Sequence, residues 1–152
     1  MARYVVGRGV VDFMNRSDEV LKELRKLNEA NDKIRKTIQD DRLAREIVVG
    51  TIAGIEAQAM TQAKNEVGEG GKRINTNDTL RDAAVSVIVT KDPYYQEARK
   101  LAEKLDDDLQ TNKRMLEFNA GEWRILLAEV DMIVAAMTAS PNSAVINAFG
   151  DV

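Results

Sequence analysis

The residues best placed to do chemistry in this chain lie in one short segment, GEGGKRINTNDTLR, from Gly68 to Arg81. Its glycines lead into Lys72 and Arg73, then Asn75 and Asn77 precede a helix start, with Arg81 one turn inside that helix. Backbone N–H groups at a helix N-terminus and guanidinium groups can converge on an anion, so these five residues are the candidate contacts to a phosphate or to nucleic acid. The Gly-Lys-Ser/Thr order of a Walker loop is absent. A solvated connector is the plainer reading of the same residues, because Gly, Asn and Thr are the usual constituents of turns.

The remaining polar groups offer less. Asp106, Asp107 and Asp108 are consecutive, and consecutive helical residues point in three directions, so they read as a solvated acidic face and not as a metal site. Glu46, Glu56, Glu117, Glu122 and Glu129 lie beside apolar rows, where paired carboxylates in a bundle can hold a divalent ion, but no dense Glu-x-x-Glu-Asp cluster accompanies them. Tyr94, Tyr95 and Trp123 are read as packing residues. The chain has no Cys and no His, which removes thiol nucleophiles, His-containing triads, Cys/His zinc sites and the Glu-x-x-His di-iron pattern. No catalytic residue, metal or cofactor is therefore expected, and an enzyme is the least supported class.

Positioning these residues falls to two long helices. Val20, Leu24, Leu27, Asn31, Ile34 and Ile38 alternate spacings of four and three. Leu101, Leu105, Asp108, Asn112, Leu116, Asn119, Trp123, Leu126, Val130, Ile133 and Met137 continue that habit in the second half. Such rows make narrow apolar seams, and an amide at a seam position lowers stability while penalising wrong registers. Asn31, Asn112 and Asn119 are accordingly the expected determinants of helix pairing.

Ser17, followed by Asp18 and Glu19, predicts a helix start, and apolar spacing through Leu43, Ile47, Ile52, Ile55 and Ala59 carries that helix to about Val67. Gly50 and Gly54 fall on one face of it and would admit a second helix closely; the apolar run around them is too short to span a membrane. Gly68 to Gly71 stop the helix, Thr76 or Asn77 caps a shorter one to about Thr90, and Asp92 before Pro93 starts a third. Ser140-Pro141-Asn142 is expected to end it. The predicted organisation is an N-terminal arm over 1–16, a helical domain over 17–138, and a tail over 139–152 that docks through Val145, Ile146 and Phe149.

The fold class expected is all-α: a long antiparallel helical hairpin, coiled-coil-like, with one short additional helix. A two-helix hairpin has little interior. Its apolar flanks at Val48, Ile52, Leu127 and Val134 are expected to face another subunit, giving a dimer or higher oligomer. A net charge of −3 and a pI near 5.1 argue against a uniformly basic nucleic-acid binder. The first twenty residues lack the charged start and continuous apolar core of a signal peptide, and the absence of Cys suits a reducing cytoplasm.

From Lys64 to Leu126 the chain resembles small helical proteins encoded in the early regions of tailed phages and prophages. The likeness rests on Asn75, Asn77 and Arg81, on the Asp-Pro-Tyr-Tyr start at 92–95, and on the long charged amphipathic helix that follows. It implies an accessory of phage DNA replication or recombination. The leading expectation is thus a non-enzymatic interaction protein whose partners are itself, another protein and, through Lys72, Arg73 and Arg81, nucleic acid. Two alternatives stand beside it: an anti-defence protein that sequesters a nucleotide or inhibits a host protein, and a virion or scaffold component.

Overall fold

A computed structural model describes the backbone of residues 2–148 and the side chains of residue 12 and of residues 14–139. The chain is all-helical, with α1 (Ala2–Asn65), α2 (Asp78–Lys91) and α3 (Pro93–Ala148). Among the described residues the only β-type pairing is an isolated antiparallel bridge between Val67 and Arg73. No described helix is long and apolar enough to cross a membrane.

Two compact units divide the chain, Met1–Arg35 with Arg114–Val152 and Lys36–Lys113. In the first, Val20 and Leu24 of α1 and Ile133 of α3 are buried together, with Trp123, Leu126 and Val130 packed around them. Arg16 bonds Glu129, and Asn119 bonds Asn31 further along α1 but earlier on α3, so the two helices run antiparallel there. The second unit shows the same direction in the pairs Asp41 with Asn112, Arg45 with Asp106 and Glu56 with Tyr95. Its buried residues come from all three helices: Ile38, Val48, Ala59 and Ala63 of α1, Val89 of α2, Leu105 and Leu109 of α3.

Local chemistry explains most boundaries. The Asn77 side chain accepts from the Leu80 N–H at 2.8 Å and caps α2. Asp92 accepts from the N–H groups of Tyr94 and Tyr95, and Pro93 occupies the first position of α3, where no donor is needed. Three boundaries differ from expectation. Ser17 does not start a helix: α1 begins at Ala2, so residues 2–16 belong to the same helix as the residues that follow. Once a helix is nucleated each further residue adds a hydrogen bond, and Gly7 and Gly9 cost only about 1 kcal/mol apiece against that. At the other end α1 stops at Asn65, short of Val67. Finally, α3 runs through Pro141 to Ala148, accepting the loss of the one N–H that Pro lacks. The expected docking of Val145, Ile146 and Phe149 lies outside the described side chains.

The seam also differs in detail. Buried and half-buried positions on α1 follow 20, 24, 27, 31, 34, 38, 41, 45, 48, 52, 55 and 59. Leu43 and Ile47, expected in this row, are exposed, and Asp41 and Arg45 stand in it instead. On α3 the row runs through Ala98, Ala102, Leu105, Leu109 and Asn112, whereas Leu101, Asp108 and Met137 lie outside it. Choosing an apolar residue at each turn misplaces the row: the spacing of three and four from Ile38 passes through Asp41 and Arg45 and leaves Leu43 and Ile47 off the face, and on α3 it passes through Ala98 and Ala102 and leaves Leu101 outside. Val48, expected on an exposed flank, is buried, and Ile52 is half-buried; Leu127 and Val134 are exposed.

Candidate functional site

The segment after α1 is a tight, internally bonded turn. Gly68 donates to the Lys72 carbonyl at 2.9 Å, Gly71 to the Gly68 carbonyl at 3.1 Å, and Ile74 to the Glu66 carbonyl at 3.1 Å. Gly70 and Gly71 have φ of +89° and +73°, a left-handed conformation that only glycine adopts cheaply, and they reverse the chain. Asn75 is the only buried polar residue described. Its amide donates to the Ala63 carbonyl at 2.8 Å and to a Glu66 carboxylate oxygen at 3.0 Å, stapling the turn to the end of α1.

Arg81 points back over the same turn. It donates to the carbonyl oxygens of Asn75 and Thr76 and pairs with Asp78 at 2.9 Å. Of the five candidate phosphate contacts, Asn75, Asn77 and Arg81 are therefore occupied in building the turn and capping α2. Lys72 and Arg73 are exposed and make no side-chain hydrogen bond or ion pair with the described residues. The segment thus keeps two cations available to an anion, not three.

The acids stand apart from one another. No three of them among the described residues are grouped as metal ligands would be. Asp106 binds Arg45 through both carboxylate oxygens, while Asp107 and Asp108 are exposed. Glu129 accepts from Arg16 Nε and Nη2 at 2.6 and 2.9 Å, and this paired donor holds its carboxyl below the ordinary carboxylate range. Tyr95 donates its hydroxyl to Glu56 at 2.9 Å; the hydrogen bond to that carboxylate, aided by slight burial, raises its pKa. Tyr94 is exposed and does not pack.

No family model, curated protein or solved structure matches this chain.

Its own geometry therefore carries the reading. The three pairing amides behave differently. Asn119 and Asn31 bond each other at 2.7 Å, whereas Asn112 reaches Asp41 only at 3.5 Å. Gly50 and Gly54 are exposed, and a Cβ built on either meets nothing within 4 Å, so among the described residues no helix uses the close approach they allow.

Sequence reasoning missed a feature of the first unit. Met115, Phe118, Ile125 and Met132 are exposed and recur along one line of α3 at the spacings of the seam, displaced from it by one position. A groove of about 440 Å³ lies beside that line, with Leu27, Ala30, Phe118, Asn119, Glu122 and Leu126 in its walls. The signal was present as a second apolar period, hidden because Glu122 and Glu129 interrupt it.

Proposed function

We propose that this chain is a non-enzymatic helical interaction protein that recruits another protein by receiving one of its amphipathic helices along α3. The observation that carries this is the exposure of Phe118, Ile125 and Met132, each between 63% and 68%, seven residues apart on one helix face. Large apolar side chains left in water at a helical period suit a helix laid into the adjoining groove, and each is worth about 1.5–3 kcal/mol once covered. Glu122, exposed on the same face and outside the ion pairs of the described residues, favours a partner helix with a basic flank.

A photo-crosslinking amino acid at Ile125 tests the reading in the cells that express the protein. The expected result is one protein captured reproducibly, whose purified form binds the chain and is released at least ten-fold more readily by Phe118→Glu. Capture of nothing except further copies of this chain overturns it.

The partner class that the phage-like segment suggests is DNA-processing machinery, and Lys72 and Arg73 support a contact to nucleic acid as part of the same reading. Anisotropy of labelled single- and double-stranded DNA across a salt series checks this. Binding that weakens steeply with salt and is lost in Lys72→Ala/Arg73→Ala is expected, and no binding at low salt removes the nucleic-acid contact. Arg81 is left unchanged in that test because its role is to hold the turn.

A further inference from the structure

The opposite edge of the first unit carries a different pattern. On α1, Met14, Asp18, Leu21, Arg25 and Asn28 recur at spacings of four and three; on α3, Val134, Asp131, Leu127, Arg124 and Ala120 do the same in the reverse direction. All ten are exposed. At one end of the two rows, Asn28 of α1 and Ala120 and Arg124 of α3 stand with Arg35 in the walls of a groove of about 320 Å³, above Asn31 and Trp123. Asp18, Arg25, Arg124 and Asp131 make no hydrogen bond or ion pair with the described residues.

We infer that this edge is a self-association surface, on which a second copy of the chain packs about a two-fold axis that crosses both helices at Leu21 and Leu127. Three features of the two helices select that occupant and that axis. In α1, Asp18 and Arg25 lie equally far on either side of the point next to Leu21; in α3, Asp131 and Arg124 lie equally far on either side of the point next to Leu127. The Asn31–Asn119 bond sets Leu21 and Leu127 within about two residues of the same level, so one axis serves both helices.

Rotation about it lays α1 on the α1 of the second copy and α3 on its α3, each antiparallel. Arg25 then faces Asp18 of the second copy, and Arg124 faces its Asp131, giving four ion pairs from four unpaired residues by symmetry. An axis parallel to the helices would instead set Asp18 against Asp131 and Arg25 against Arg124, which like charges oppose. The chosen axis also carries Met14 and Val134 of one copy to the level of Asn28 and Ala120 of the other, where the small Ala120 leaves the groove open. The same operation that pairs the charges thus brings Met14 and Val134 to the end of the edge where Ala120 and Trp123 line the groove.

Sedimentation equilibrium of the full chain decides the matter. The wild-type protein is expected at twice the chain mass at micromolar concentration. Arg25→Asp/Arg124→Asp, which sets four acids against four, is expected at the single-chain mass with an unchanged helical circular dichroism signal. Adding Asp18→Arg and Asp131→Arg to that variant restores the pairs and is expected to restore the double mass. A wild-type monomer, a double-mass Arg25→Asp/Arg124→Asp variant, or a four-fold variant that stays monomeric each overturns the proposal. This surface is independent of the helix-receiving face: Ile125→Glu is expected to leave the mass doubled, so loss of partner capture and loss of self-association read out separately.

Discussion

Asn31 and Asn119 satisfy one another across the first unit, so each becomes a liability once the other is apolar. A double-mutant cycle with Leu at both positions should show a coupling of about 1 kcal/mol, with the double variant melting above either single one. Additive single effects would mean that the 2.7 Å bond contributes nothing beyond water. Asn75 is a sharper case, because it is buried and holds two acceptors. Asn75→Ala should cost about 1–3 kcal/mol in thermal unfolding, since the Ala63 carbonyl loses its donor. Glu129 gives the pH dependence. Its folded pKa is depressed by Arg16, so its contribution is fully present above the ordinary carboxylate range and is lost as pH falls through that range toward the lowered value. Glu129→Gln should therefore flatten part of the decline in melting temperature between neutral and strongly acidic pH, and an unchanged slope would remove the pair from the stability of this unit.

Elements end where a backbone conformation demands it. Gly70 and Gly71 reverse the chain with positive φ, and an Ala at either should cost about 1–2 kcal/mol although both sites have open space around them. The opposite sign is expected inside α1. Gly50 and Gly54 sit in a helix interior where a Cβ meets nothing, so Gly50→Ala/Gly54→Ala should raise stability by roughly 1 kcal/mol per site. Destabilisation, or a change in mass on sedimentation, would show that another helix packs on these glycines in solution. These four residues share a type, and conformation and surroundings alone separate their outcomes.

For the whole molecule, the described core is thin: ten apolar residues are buried while eighteen large ones are exposed. A chain of this kind gains stability by covering apolar faces with another molecule, and self-association makes that gain depend on concentration. The melting temperature should accordingly rise by several degrees between low micromolar and high micromolar protein, and Arg25→Asp/Arg124→Asp should abolish the rise. A melting temperature independent of concentration in the wild-type chain would count against association through the edge of Leu21 and Leu127.

Helix identity, a loop through Gly68–Gly71, the Asp92 cap, a cap for α2 at Thr76 or Asn77 and the polar character of the seam follow from the sequence alone, because each depends on neighbours within one or two turns; that Asn77 is the cap of α2 and that α1 ends at Asn65 came with the structure. Capping needs only an acceptor beside free N–H groups, and a seam needs only a period. Which member of each turn enters the seam depended on the opposite helix. Arg45 and Asp41 enter because α3 presents Asp106 and Asn112 to them, while the more apolar Leu43 and Ile47 face outward. The fate of the candidate phosphate contacts was likewise a tertiary matter: the carbonyls of Ala63, Asn75 and Thr76 and the Glu66 carboxylate claim Asn75 and Arg81. A donor's type is written in the sequence, but its acceptor is whatever the folded chain brings within hydrogen-bonding distance, and that alone separates a binding group from a structural one.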